Sequence, residues 1–251
     1  MTLTRSPRLF AACLVAIVAA CGSSAATAQL STLRFTEVMS SSGTTGTPTA
    51  DWWEVTNYGS ASVNMTGWKF DDSSFLFANS VALNGVTSIA AGESVLFLEV
   101  GAGGTAATNI ANFRSFWGGA AATVQIGSYT GSGVGLSSAG DGVVLFDAGG
   151  TEVTPRATFG PATTGSSFYY AYSASGDPST SPNSSAIVST LGTLDGQVTF
   201  NSASTFPQNI GSPGTAINAV PEPSSMAFAA VGLGLAAAAG IRRGCLSRSR
   251  R

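Results

Sequence analysis

Five carboxylates crowd the first third of this 251-residue chain: Glu37, Asp51, Glu54, Asp71 and Asp72. Brought to one end of neighbouring strands, they would offer the oxygen ligands that Ca²⁺ takes six to eight at a time. Glu37, Asp51, Asp71 and Asp72 are therefore the calcium candidates. Their spacing follows no calcium loop, so the plainer expectation is solvated carboxylates and turn caps, with no metal. Asp51 and Asn57 in particular have the place of residues that bond their own backbone at strand ends. A pair of these acids could also be the acid and base of a glycosidase, but the sequence gives no separation to support it. Other chemistries are removed by composition. The chain has no histidine, which excludes Ser-His-Asp and Cys-His nucleophiles and the usual zinc sites. Its three cysteines, Cys13, Cys21 and Cys245, lie in the terminal segments, so residues 29–223 hold no disulfide and no thiolate ligand. An enzyme would have to work with carboxylates, Lys69 or tyrosines alone. No catalytic residue and no cofactor are expected.

Charge narrows the partners. The formal net charge is −2, but residues 29–223 hold all thirteen acidic residues against Arg34, Lys69, Arg114 and Arg156, a net −9. The remaining seven arginines flank two apolar runs at the ends. Nucleic acid is not an expected partner of so acidic a body, because that affinity comes largely from Lys and Arg neutralising phosphates.

The elements that must position these acids read as strands. Asp51 to Asp72 carries three of the four tryptophans and reads as strand, turn, strand. Trp53, Val55, Trp68 and Phe70 are the expected core. Alternation sets Trp53 and Val55 on one face of the strand and Trp52 and Glu54 on the other. Trp52 then either covers a second face of the sheet or, with Tyr58, stands exposed to stack on sugars or a partner. Truncating Trp52 is expected to cost less than truncating Trp68. Further strands are expected at Thr32–Met39, Asp51–Asn57, Val63–Phe70, Phe75–Phe77, Val95–Val100, Thr123–Gly127, Gly142–Asp147, Glu152–Phe159, Ser167–Tyr172 and Gln197–Phe200, separated by Gly, Asn, Asp and Ser clusters. Asn109 to Trp117 reads as one helix, capped by Asn109, ended by Gly118, and plugging one end of a sandwich. Residues 161–215 read either as a long loop region or as edge strands completing that sandwich.

These motifs together resemble the lamin tail domain. Leu33 to Val38 resembles its first strand, Asp51-Trp52-Trp53-Glu54-Val55-Thr56-Asn57 its central segment, and Met65-Thr66-Gly67-Trp68 the strand that follows. Ile89-Ala90-Ala91-Gly92-Glu93 before Val95-Leu96-Phe97-Leu98, then Leu136 to Asp147, and finally Ser212-Pro213-Gly214 continue the likeness. The resemblance implies an all-β, immunoglobulin-like sandwich over 29–217, with 161–215 matched loosely. Lamin tail modules also occur beside nucleases in bacteria, though nothing basic or catalytic in this chain points that way.

The two ends read as targeting segments. Arg5 and Arg8 precede the apolar run Leu9–Ala20, and Ala26-Thr27-Ala28 offers a small-residue cleavage site before Gln29, so 1–28 is the expected signal peptide. Val18-Ala19-Ala20-Cys21 resembles a lipoprotein box, and lipidation of Cys21 stays open as the alternative. At the other end, Met226 to Ile241 is an apolar run of sixteen residues. As a helix it rises ~24 Å, slightly short of a ~30 Å hydrocarbon core, and five arginines after it hold that end in the cytoplasm. Pro221-Glu222-Pro223 immediately before this run makes 218–251 resemble the PEP-CTERM sorting signal of Gram-negative bacteria that make extracellular polysaccharide. That likeness implies an exosortase as partner, processing at Pro221, Glu222 and Pro223, and Arg242 and Arg243 holding the substrate in place. It also implies a transient inner-membrane anchor, then the outer envelope or extracellular matrix. The expected role is structural or adhesive and non-catalytic, with extracellular polysaccharide or surface proteins as candidate contacts. The alternative is a carbohydrate- or calcium-binding module, and a nuclease-associated or hydrolytic enzyme comes third.

Overall fold

The computed structural model describes residues 32–43, 51–170, 185–194, 197–202 and 209–216. The expected signal peptide with Cys21, Ala26 and Ala28, and the expected sorting segment with Pro221, Glu222, Pro223, the run 226–241, Arg242 and Arg243, lie outside the described residues. Among the described residues no helix is long and apolar enough to cross a membrane.

Two facing sheets build the core. In chain order the strands begin with β1 (Leu33–Met39), β2 (Trp52–Asn57), β3 (Val63–Asn64), β4 (Lys69–Asp71), β5 (Val81–Ala82) and β6 (Ser88–Ile89). Next come β7 (Ser94–Val100), helix α1 (Ala106–Trp117), β8 (Gln125–Thr130), β9 (Asp141–Phe146), β10 (Ala157–Phe159), β11 (Phe168–Tyr170) and β12 (Ala186–Val188). The chain closes with β13 (Gly192–Leu194), β14 (Gln197–Asn201) and β15 (Ile210–Gly211). One sheet has six strands in the order β12-β11-β1-β2-β7-β8, and the facing one has four, β10-β9-β4-β5. Among the described strands pairing is antiparallel except for β7 with β8, whose parallel register requires the crossover that α1 supplies.

Between the sheets Trp53 is the centre of an aromatic stack. Its ring lies 4.5 Å from Phe97 and 5.0 Å from Phe70, with Phe35 edge-on at 5.5 Å. Val55, Trp68 and Phe70 belong to the same inner core. The six-stranded sheet is also buried on its other face. There Trp52 meets Phe113 and Trp117 of α1 edge-on at 5.6 and 5.9 Å, beside Met39, Leu96 and Leu98. With both faces covered, every residue of β1 and β2 is buried. Hence a polar side chain on these strands needs an internal partner.

Several expectations are corrected here. α1 starts at Ala106, not Asn109, because the Oγ1 of Thr105 accepts the Thr108 N–H and caps it, while Asn109 donates to the Glu99 carbonyl instead. It lies on the outer face of the six-stranded sheet rather than plugging an end, drawn there by Phe113, Phe116 and Trp117. Gly118 does end it. The expected strand Val63–Phe70 is two strands, interrupted where Gly67 takes φ +78° and Trp68 N–H bonds the Met65 carbonyl. Phe75–Phe77 is a turn, with Leu76 N–H held by Asp71 and Ser74 N–H by Asp72. Glu152–Phe159 is reduced to β10 and a single bridge between Phe146 and Glu152. In the loosely matched 161–215, β11 and β12 extend the large sheet, so the edge-strand alternative describes that part of the chain.

Candidate functional site

The acids do not gather at one end. Glu37 and Glu54 form a buried pair beneath the outer layer of the large sheet, Asp51 stands in an acidic mouth at the end of the sandwich, and Asp71 and Asp72 hold the turn after β4.

The pair owes its existence to a β-bulge. Along β1, Leu33 and Phe35 point into the inner core, but the register against β2 slips between Phe35 and Glu37, leaving Thr36 as the extra residue. After the slip Val38 takes the inward position and Glu37 turns outward, directly opposite Glu54. Both carboxylates are 0 % exposed. Their donors come partly from far along the chain. Glu37 accepts from the Ser167 hydroxyl, from Ser212 N–H at 2.8 Å and from the Ser212 hydroxyl at 2.9 Å. Glu54 accepts from the Thr36 hydroxyl and Gly214 N–H, both at 2.6 Å. Hydroxyls extend the network on either side, Ser167 to Ser189 and Thr36 through Thr56 to Ser94. Residues 209–215 thus form a strap across the pair. A Cβ on Gly211 would stand 2.6 Å from Glu37 Oε1 and 3.1 Å from the Trp117 ring, so only glycine lets the strap lie this close.

Two like charges cannot sit side by side in such a place cheaply. Burial pushes Glu37 up to about 7 against the opposing hydrogen bonds of Ser167 and Ser212. Burial and then the neighbouring Glu37 hold Glu54 well above the usual carboxylate range.

At the other location Asp51, just before β2, stands beside Glu99 of β7 and Tyr129 of β8 at one end of the sandwich. Glu99 N–H bonds the Asp51 carbonyl at 2.9 Å, and Glu99 and Tyr129 are register partners. Burial first, then Glu99, raises Asp51 to about 7, while a bond from Leu136 N–H opposes the rise. Asp141 faces them from β9 and accepts from Ser73, Ser137 and Gly142 N–H groups. The Tyr129 hydroxyl is buried, and burial followed by Asp51, Glu99 and Asp141 pushes its pKa upward. Glu99 lines an open cleft of about 490 Å³ with Val100, Gly101, Thr130, Gly131 and Ser132.

A family model described as Lamin Tail Domain matches residues 26–160, more than half of the chain. The chain belongs to the lamin tail domain family. A second model, the PEP-CTERM protein-sorting motif, matches residues 219–243. No curated protein matches the chain in sequence. The lamin tail match ends in the turn after β10, so Glu37 and Glu54 lie inside it while Ser167, Ser212 and Gly214 lie beyond.

The calcium candidates end in different settings. Glu37 is under the strap, Asp51 is at the mouth, and Asp71 and Asp72 hold the turn after β4. Among the described residues no three Asp, Glu, His or Cys side chains could share a metal ion. Asn57 does bond its own strand end, accepting from Gly59 N–H and donating to the Ala61, Ile89 and Ala90 carbonyls. Asp51 does not; its backbone partner is Leu136. Trp52 and Tyr58, which were candidates for stacking on sugars, are 1 % and 2 % exposed. Trp52 has its own core cluster under α1, so its truncation is expected to cost about as much as that of Trp68. Reading the sequence missed Glu99, Tyr129 and the serine donors. Asp51–Glu99 is findable only with the strand register, and nothing local in Ser212-Pro213-Gly214 points to the carboxylates it covers.

Proposed function

We propose that this is an exported, exosortase-processed protein of the outer envelope or extracellular matrix, and that its lamin tail sandwich is a structural or adhesive module without catalysis. One observation carries the reading: a lamin tail match over 26–160 is followed, in the same chain, by a PEP-CTERM match over 219–243. Within that reading individual residues take definite roles. The signal peptide 1–28 sends the body across the inner membrane and is removed by cleavage after Ala28, with Ala26 in the recognised small-residue pair. The run 226–241 stops transfer, and Arg242 and Arg243 keep the tail inside. Pro221, Glu222 and Pro223 then sit at the outer surface, within reach of an integral-membrane protease. Such a substrate is a cargo module, and the rest of the molecule suits that role. The carboxylate pair that most resembles an acid–base couple is sealed from solvent, so no glycoside can reach it in the folded domain.

The binding-module alternative loses its motivating residues, since Trp52 and Tyr58 are buried and the calcium candidates are apart. Intact mass decides the proposal. Protein from wild-type cells should lack Cys245 and every residue beyond the Pro-Glu-Pro region, and exosortase-deleted cells should retain them. Changing Glu222→Ala should leave insertion intact and impair processing. Full-length tail in the outer fraction of wild-type cells would sink the reading.

A further inference from the structure

We propose that Glu37 and Glu54 form a proton-operated latch that holds the strap 209–215 on the large sheet and loosens it as pH rises. The inference concerns the folded body and stands whether or not the tail is processed.

Geometry carries it. The two carboxyls face each other across the β1–β2 ladder, with no solvent access, and three of their five hydrogen bonds come from Ser212 and Gly214 of the strap. Few other charges face the pair. Along β1 there is Arg34, buried, whose Nη1 donates to the Leu33 carbonyl. From β11 there is Tyr169, opposite Glu37. β2 contributes Glu54 itself, and α1 turns Trp117 toward the site, its Arg114 being bonded to the carbonyls of Ala121, Ala122 and Val124. Residues 209–216 contain no ionisable side chain.

The strap is otherwise tied at its N-terminal end. Asn209 bonds Ser42 and Gly43, and Ile210 exchanges bonds with Gly165 and Ser167. From Ser212 onward, the carboxyls hold the strap through Ser212 and Gly214. With both carboxyls neutral, every oxygen can take part in the hydroxyl network, whose members can reverse donor and acceptor. Once a proton leaves, a buried anion stands against its neighbour with no lysine or arginine bonded to it in the described network. Hydrating it requires the strap to lift.

The sign follows from the direction of the shifts. Both groups hold protons more tightly in the closed domain than in an open chain, whose carboxyl titrates near 4.5. The closed state therefore has its full advantage below about 4.5 and loses it as pH rises through about 7 for Glu37, with Glu54 shifted in the same direction.

Hydrogen exchange of the full chain in mild detergent tests this. Amide protection at Ser212 and Gly214, corrected for the intrinsic pH dependence of exchange, should fall at least tenfold between pH 5.5 and 8.5. Protection at Phe97 in the core should not. In a Glu37→Gln, Glu54→Gln double variant the fall should shrink to less than twofold. A flat profile in the wild type, or an unchanged fall in the variant, overturns the latch. Carbon-13 titration of the glutamate carboxyls in the wild type covers the case of a variant that does not fold. Two carboxyls that stay protonated through pH 6 support the proposal, and ordinary titration of every glutamate near 4.5 refutes it.

Discussion

Asp51 illustrates what single residues do at the mouth of this sandwich. Its carboxyl is raised from 3.8 to about 7 by burial and by Glu99, so its neutral form is favoured in the folded domain. The stabilisation is complete below about pH 4 and is lost as pH rises through about 7. Asp51→Asn should keep the bond from Leu136 N–H and remove that dependence. The urea midpoint of the wild type should decline relative to the variant between pH 4 and pH 7.5; parallel profiles would contradict the assignment. The two adjacent tryptophans make a second prediction at this scale. Trp52 and Trp53 fill separate clusters on opposite faces of one strand. Truncating either to Ala should cost ~3–5 kcal/mol, as for buried aromatics generally, and Trp68→Ala should fall in the same range. Denaturant melts in which Trp52→Ala is nearly neutral would show that α1 does not pack as described.

At the scale of elements, the join between β7 and β8 is unusually tight. A Cβ on Gly127 would stand 2.5 Å from the Phe97 ring and 2.6 Å from the Asn84 carbonyl oxygen. Gly127→Ala should therefore destabilise by ~1–3 kcal/mol, the usual cost of overpacking, and should loosen the Asn84–Ser128 bridge. A variant of wild-type stability by thermal melt would refute that. Most long strands are legible from sequence, because β1, β2, β7 and β9 carry large apolar residues at strand spacing between turn residues. The failures have identifiable causes. Period-two alternation from Phe35 places Glu37 inward, and nothing in Phe35-Thr36-Glu37 announces the bulge that reverses it. Val63–Phe70 looked continuous because its aromatics alternate, yet Gly67 needs a backbone angle that breaks the strand. The site was less legible still. Ser212 meets Glu37 across 175 positions, a pairing that no local pattern encodes, and Asp51 finds Glu99 only through the β2–β7 register. Segregating Trp52 from Trp53 did follow from alternation, but the helix that covers Trp52 did not.

On the scale of the whole molecule, charge remains the simplest discriminator. The net −9 of residues 29–223 and the scarcity of lysine predict no retention of DNA in a gel-shift assay at 50 mM salt; tight, salt-sensitive binding would overturn the structural role. The family match covers the two facing sheets through β10, whereas the segments that seal the carboxylate pair follow it. That arrangement puts an order on assembly. A chain is made from its N-terminus, so Glu37 and Glu54 emerge early, and they stay hydrated and ionised while the strands around them pair. Their lid arrives only with Ser212 and Gly214, 175 and 160 positions later. Closing it shuts the pair off from solvent and, because burial raises both carboxyls, favours proton uptake at neutral pH. Closing the strap is therefore expected to be an act of proton uptake that finishes more readily where the surroundings are acidic.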